Sequence, residues 1–278
     1  MSATTAATTT AVPAARRLGP GTAIRNAASI ARRNLIRIKS DPEQLTGATV
    51  QPLMFLTLFV FVFGGAIAEG GWREYLQFAL PGILIQGISF QGFSTALGLN
   101  NDFEHGLIDR FRSLPIARSS VVAGRIMADS VLILWGTFVI VGFGMVLGFR
   151  FTGGLGGAVG SVLLVWAWGM TVCWPLGFIG ILAKSPQAVN TGAFMIILPI
   201  TFASSVFVPA ASMPGPLRAF AEANPITKVA EAARGLMLGV RPGEPPLADN
   251  LIPAILWMVG IVAVFAPLAV WRYRKRAI

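Results

Sequence analysis

The 278 residues include one cysteine and one histidine, and charged residues make up only 12%. A single cysteine, Cys173, leaves no intrachain disulfide to form. With Cys173 and His105 the only cysteine and the only histidine, neither a zinc site nor a Cys–His nucleophile pair is expected. No G-x-x-x-x-G-K-[ST] stretch occurs, so the phosphate cradle of a P-loop is missing and any ATP-derived energy must come from another chain. The opening "MSATTAATTTAVPAARRLGPG" lacks the apolar core of a secretory signal. Residues 1–21 read as a disordered cytoplasmic lead.

Apolar residues are abundant, at 54% of the chain with a mean hydropathy of +0.69. Six stretches carry no charge: Thr46–Ala68, Tyr75–Asn101, Ser130–Phe149, Phe151–Ala183, Ser185–Leu217 and Asn250–Trp271. Each can supply the roughly 20 residues that cross a hydrocarbon core. The expected class is an all-α integral membrane protein with six transmembrane helices. The spans are placed at about 46–68, 75–99, 121–148, 155–183, 188–208 and 251–271. The basic residues flank these spans, which explains a pI of about 11.2 without invoking nucleic acid. Six spans put both termini on one side, and that side then holds sixteen of the 22 Lys and Arg residues. The positive-inside rule makes it cytoplasmic. Arginine outnumbers lysine 18 to 4, which points to a GC-rich bacterial genome.

Residues 22–40 form an amphipathic pattern. Ile24, Ala27, Ala28, Ala31, Leu35 and Ile38 share one arc, with Arg25, Arg32, Arg33, Arg37 and Lys39 outside it. Such a helix lies on anionic lipid and can also face a cytoplasmic partner. Residues 209–239 are too broken by Pro209, Pro214, Pro216 and Pro225 for one span and too apolar for a solvated loop. They are expected to form a re-entrant outer helical hairpin turning at Asn224-Pro225. Gln86, Ser89, Phe93 and Asn100 share a face of the second span, and Asn190, Phe194, Thr201 and Ser204 form a similar line on the fifth. These lines serve either interhelical hydrogen bonding or a substrate path lined by Gln86, Ser89, Phe93, Phe194, Thr201 and Ser204. Arg125 and Asp129, four apart, read as a structural ion pair near the interface. Gly144/Gly148 and Gly156/Gly160 read as packing notches.

Between the second and third spans lies a charged island, "DFEHGLIDRFRSLPIARSS". Phe103, Leu107, Phe111 and Leu114 recur at helical spacing, with Asp102 as N-cap and Pro115 as terminator. The exposed face of this 102–114 helix carries both charge signs, which suits a protein partner more than lipid.

"YLQFALPGILIQ", "GLIDRFRSLPIARSSVVAGR", "FGGAI" and "ANPITKVAEAARGLMLG" occur in an order and spacing that resemble the type-2 ABC exporter permeases of the daunorubicin/doxorubicin-resistance type. The likeness makes residues 22–276 a single type-2 ABC transmembrane domain. It implies that 22–40 is an interface helix and that 102–114 is a coupling helix docking on a separate ABC ATPase subunit. On that reading Glu104, His105, Gly106, Asp109, Arg110 and Arg112, with Arg25, Arg32 and Arg33 beside them, touch the ATPase. The family's outer motif falls on Asn224, Pro225 and Arg234. The implied assembly pairs this chain with a second permease copy, identical or sister. ATP and Mg sit on the partner, so this chain needs no cofactor and is not itself an enzyme. The implied cargo is an amphipathic drug-like or antibiotic-like molecule leaving the cell across the bacterial cytoplasmic membrane. Export of a lipid-linked glycan or glycolipid is the alternative within the class. An ion-coupled secondary transporter is more remote, because inverted repeats and midplane charges are lacking.

Overall fold

The computed structural model describes residues 42–68, 70–104, 118–240 and 245–276. The amphipathic segment 22–40, with Arg25, Arg32 and Arg33, lies outside the described residues, as do 105–117 with His105, Gly106, Asp109, Arg110 and Arg112. Among the described residues all regular structure is helical. In an apolar solvent each backbone N–H and C=O must be satisfied within its own segment, which an α-helix achieves.

Helix α1, Pro42–Leu58, continues into a π-helical turn, Phe59–Phe63, and a short α2, Gly64–Ile67. Helix α3 is Trp72–Glu104, α4 is Arg118–Leu147 and α5 is Gly154–Leu182. Ser185 starts α6, Pro186–Phe202, by accepting the Ala188 N–H at 3.2 Å, with Pro186 at the first helical position. A 3₁₀ turn at Ala210–Ser212 precedes α7, Gly215–Ala223, and α8, Pro225–Leu238. Helix α9, Leu247–Arg276, closes the order. Prolines lie inside α1, α3, α5, α6 and α9 without dividing them. Neighbouring helices tolerate such breaks in membranes better than water does.

Among the described residues four helical segments are long and apolar enough to cross a membrane: Thr49–Ile67, Val122–Leu147, Gly154–Leu182 and Leu247–Tyr273. Helix α6 is apolar but spans only 17 residues. Helix α3 is the centre of the bundle. It packs most extensively on α5, then on α4, α8 and α6, and no residue from Tyr75 to Phe103 is exposed. Large apolar side chains instead face outward on α4 (Trp135, Phe138, Val146) and α9 (Ile252, Leu256, Val259), where lipid tails can solvate them.

Because lipid is as apolar as leucine, helix association rests on close packing and hydrogen bonds. Two glycines show this. A Cβ on Gly180 of α5 would overlap the backbone of Ala96 on α3, and one on Gly82 of α3 would overlap the Val206 carbonyl. Of the four glycines read as notches, Gly144 meets Leu80 and Gly160 meets Leu236. Gly148 instead takes φ +108°, and Gly156 faces open space.

Two boundaries differ from the sequence reading. Asp102 does not begin a new helix: α3 runs unbroken through it to Glu104, and Asp102 is buried. A residue inside a continuing helix has no free N–H groups ahead of it to cap. The fifth hydrophobic stretch stops being helical at Phe202, not near Val208. There Asn224 donates its amide to the carbonyls of Ile200 (2.6 Å) and Ala203 (3.0 Å), satisfying groups that would otherwise continue the helix.

Candidate functional site

Ser204–Phe207, beyond α6, are irregular in backbone yet buried. Such backbone must find donors and acceptors in its surroundings. Asn224 supplies part of them. Besides closing α6, its Oδ1 accepts the Ile226 N–H at 2.9 Å, so it is also the N-cap of α8, with Pro225 as the first helical residue. Thr227 Oγ1 accepts from Ser205 N at 3.0 Å, and the Tyr75 hydroxyl donates to Phe207 O at 3.0 Å.

Arg234 is the hub. It is 7% exposed. Its Nη2 donates to Ser205 O (2.7 Å) and Val206 O (3.0 Å), and its Nε donates to Phe78 O on α3 (2.9 Å). Its Nη1 donates to Glu231 Oε1 (2.7 Å), a carboxylate that also accepts from the Ser205 hydroxyl (2.7 Å). The guanidinium carbon lies 3.8 Å from the centre of the Phe78 ring. One cation therefore ties α8, α3 and the connector 203–208 together. Tyr75, Phe78, Ser205 and Glu231 were not singled out in the sequence. Only Glu231 carried a signal, as an acid three residues before Arg234 on one helix.

The polar faces of the second and fifth stretches separate. Ser89 donates back to Ile85 O (2.7 Å) and accepts the Trp168 indole N–H of α5 (2.8 Å). Asn100 donates to Gly180 O (3.1 Å), in the last turn of α5, and to Ala183 O (2.9 Å), at its C-cap. The Thr201 hydroxyl bonds back to Ile197 O (2.7 Å), and Ser204 bonds to Thr201 O. Rings, not polar groups, join α3 to α6. Phe93 and Phe194 centroids are 4.7 Å apart, with Phe90 stacked on Phe93 at 5.7 Å. Gln86 shares the helical face of Gly82, Phe90 and Phe93. It is buried, and its amide makes no hydrogen bond among the described residues.

At the opposite end of α3 the Arg125–Asp129 ion pair is buried, with Arg125 Nε donating to Asp129 Oδ2 at 3.1 Å. The Thr95 hydroxyl donates to the same oxygen (2.6 Å), and Cys173 Sγ lies 3.2 Å from Thr95 Oγ1. Arg125 Nη2 also reaches the Ser94 carbonyl (3.0 Å) and hydroxyl (3.3 Å) on α3. Glu104, the last residue of α3, is described in its backbone.

The profile of the ABC-2 type transporter family matches residues 26–238. The chain is 35% identical over 252 residues to the daunorubicin resistance ABC transporter permease protein DrrB1 of Streptomyces coeruleorubidus, covering 88% of this chain and 84% of that one. It is 28% identical over 248 residues to the probable doxorubicin resistance ABC transporter permease protein DrrC of Mycobacterium tuberculosis, covering 87% and 86%. Over 211 residues it is 29% identical to the putative transport permease ycf38 of Cyanophora paradoxa, covering 74% and 72%.

Proposed function

Since the chain belongs to the ABC-2 type transporter family, we propose that it is the membrane subunit of an ATP-driven exporter of amphipathic, drug-like molecules. Two permease copies work with a separate ABC ATPase, which binds ATP and Mg. The likeness to resistance permeases over nearly the whole chain carries this reading. Planar aromatic drugs such as daunorubicin are the first substrates to assay.

In this reading α3 and α6 cross the membrane beside the four more apolar spans. Six spans then leave both termini in the cytoplasm, with the sixteen basic residues on that side. Helices α7 and α8 dip into the outer leaflet as a re-entrant pair turning at Asn224-Pro225. The intermediate polarity of α7, with its exposed Phe220 and exposed Arg218–Glu222 pair, supports that placement. Gln86, Phe93 and Phe194 border the substrate path, supported by the rings between α3 and α6 and by the buried amide of Gln86 on the same face of α3 as Phe93. Ser89, Thr201 and Ser204 border it through their backbone positions, their hydroxyls being occupied.

ATPase coupling falls to the loop between α3 and α4, through Glu104, His105, Gly106, Asp109, Arg110 and Arg112, flanked by Arg25, Arg32 and Arg33. The mixed charge of that loop between two spans supports this. The test is the double reversal E104K/R110E. Exposed charges add about 0–1 kcal/mol to folding, so the permease should still reach the membrane. Unpaired interface charges weaken association by about 2–5 kcal/mol, or roughly 30- to 4000-fold in affinity. The variant should lose its ATPase on pull-down and lose daunorubicin export. Full retention of both refutes the assignment.

A further inference from the structure

We propose that Arg125 is a positioning residue for energy coupling: it clamps the inner parts of α3 and α4 into one rigid lever, so that a push on the loop between them moves both helices together. The inference rests on reading that loop as the ATPase contact.

The geometry is that of a cross-link between the two helices the loop joins. The described part of α3 runs to Glu104 and that of α4 starts at Arg118. Gly98 lies six residues before the first of these points and Arg125 seven residues after the second. At 1.5 Å per residue the clamp sits about 10 Å along the helix from residue 104 on α3 and from residue 118 on α4. The guanidinium occupies the space over Gly98, where any Cβ would overlap it. From there it donates to the Ser94 carbonyl at 3.0 Å while holding Asp129 at 3.1 Å. Asp129 is in turn held by Thr95 of α3 at 2.6 Å. Helix α3 is thus gripped at Ser94, Thr95 and Gly98, one turn of helix, by two residues one turn apart on α4. Asn100 extends the unit by closing the end of α5.

Contacts of α3 with α6 are of another kind. The rings of Phe90, Phe93 and Phe194 have no directional bonds and can slide. The division between fixed and sliding partners therefore runs along α3, with α4 and α5 on the fixed side. Stability alone is a weak explanation for the polar clamp, since well-packed apolar residues commonly replace a buried ion pair without loss. What apolar packing does not reproduce is the directional tie that fixes one helix against the other in rotation and register.

The test uses the full permease–ATPase complex in proteoliposomes, with daunorubicin as probe and drug exported per ATP hydrolysed as readout. ATPase affinity and melting temperature are measured on the same preparations. R125M/D129L removes both charges together. It should melt close to wild type and bind the ATPase equally well, yet export about fivefold or more less drug per ATP, the scale of a typical coupling free energy. R125K keeps the charge but cannot reach Asp129 and Ser94 at once, and should fall between. G98A keeps every polar group and displaces the guanidinium, and should also lower export per ATP. If R125M/D129L does not reach the membrane, R125K and G98A decide the matter. Export per ATP within about twofold of wild type overturns the proposal, as does loss of ATPase affinity, which would make Arg125 a docking residue. The loop reading fails separately, when E104K/R110E keeps its ATPase.

Discussion

Arg234→Met removes the cation that holds the buried connector 203–208. Its side chain is long and apolar enough to fill the space beside Phe78. Two of the carbonyls it abandons, those of Ser205 and Val206, lie in irregular backbone. A buried polar group stripped of its partner costs about 1–3 kcal/mol. A desolvated cation–π contact adds about 2 kcal/mol, here with the Phe78 ring. Glu231 adds little to this cost. Its side chain is 31% exposed, so water can solvate the freed carboxylate. Counting just one carbonyl at the low end of that range together with the ring contact gives a loss of at least about 3 kcal/mol, which raises the open population of the connector roughly 100-fold, at about 1.4 kcal/mol per tenfold. Val206 is fully buried and is bonded only through its backbone, its carbonyl to Arg234 and its N–H to Ser204 Oγ (3.4 Å), which makes its side chain a suitable reporter. In a chain carrying Cys173→Ala and Val206→Cys, an impermeant maleimide added outside should label position 206 about 100-fold faster once Arg234→Met is introduced, provided opening precedes labelling. Arg234→Lys should fall between, because one ammonium cannot serve α3, the connector and Glu231 together. A rate within about twofold of the parent would show that the connector is held by packing and not by Arg234.

Asn224→Ala loses an N-cap and two donors to α6 and should destabilise the protein by about 2–3 kcal/mol; Asn224→Asp keeps the cap and should recover about 1 kcal/mol of it, both read by thermal melting in detergent. Gly180→Ala forces a methyl against the Ala96 backbone and should cost about 1–3 kcal/mol. Gly156→Ala, into open space, should change stability by less than about 0.5 kcal/mol. Single cysteines at Ser2 and Ile278, in a chain lacking Cys173, should stay unlabelled by an impermeant reagent in intact cells; labelling of either would refute cytoplasmic termini.

The local grammar of the chain was legible from residue order alone. Charge-free runs marked the apolar rods. Asn224-Pro225 marked the turn between α7 and α8. The four-residue spacing of Arg125 and Asp129 marked an ion pair that closes on one helix. Each is a relation between residues a turn or less apart, where backbone geometry alone decides who meets whom. Periodicity also put Ser89, Phe93 and Asn100 on one side of α3, but it could not name the neighbours. The structure gives Ser89 and Asn100 to α5 and Phe93 to α6. Likewise hydropathy extended the fifth rod to Val208, and only the Asn224 amide, 21 residues after Ala203, ends it at Phe202. Asp102 carried the signature of an N-cap, yet α3 continues through it. In each case a polar group in an apolar medium has to find a partner, and which partner it finds is settled by which helices pack together. That is a property of the tertiary structure, because lipid gives each rod no preference among its neighbours until small residues and donors bring two of them into contact.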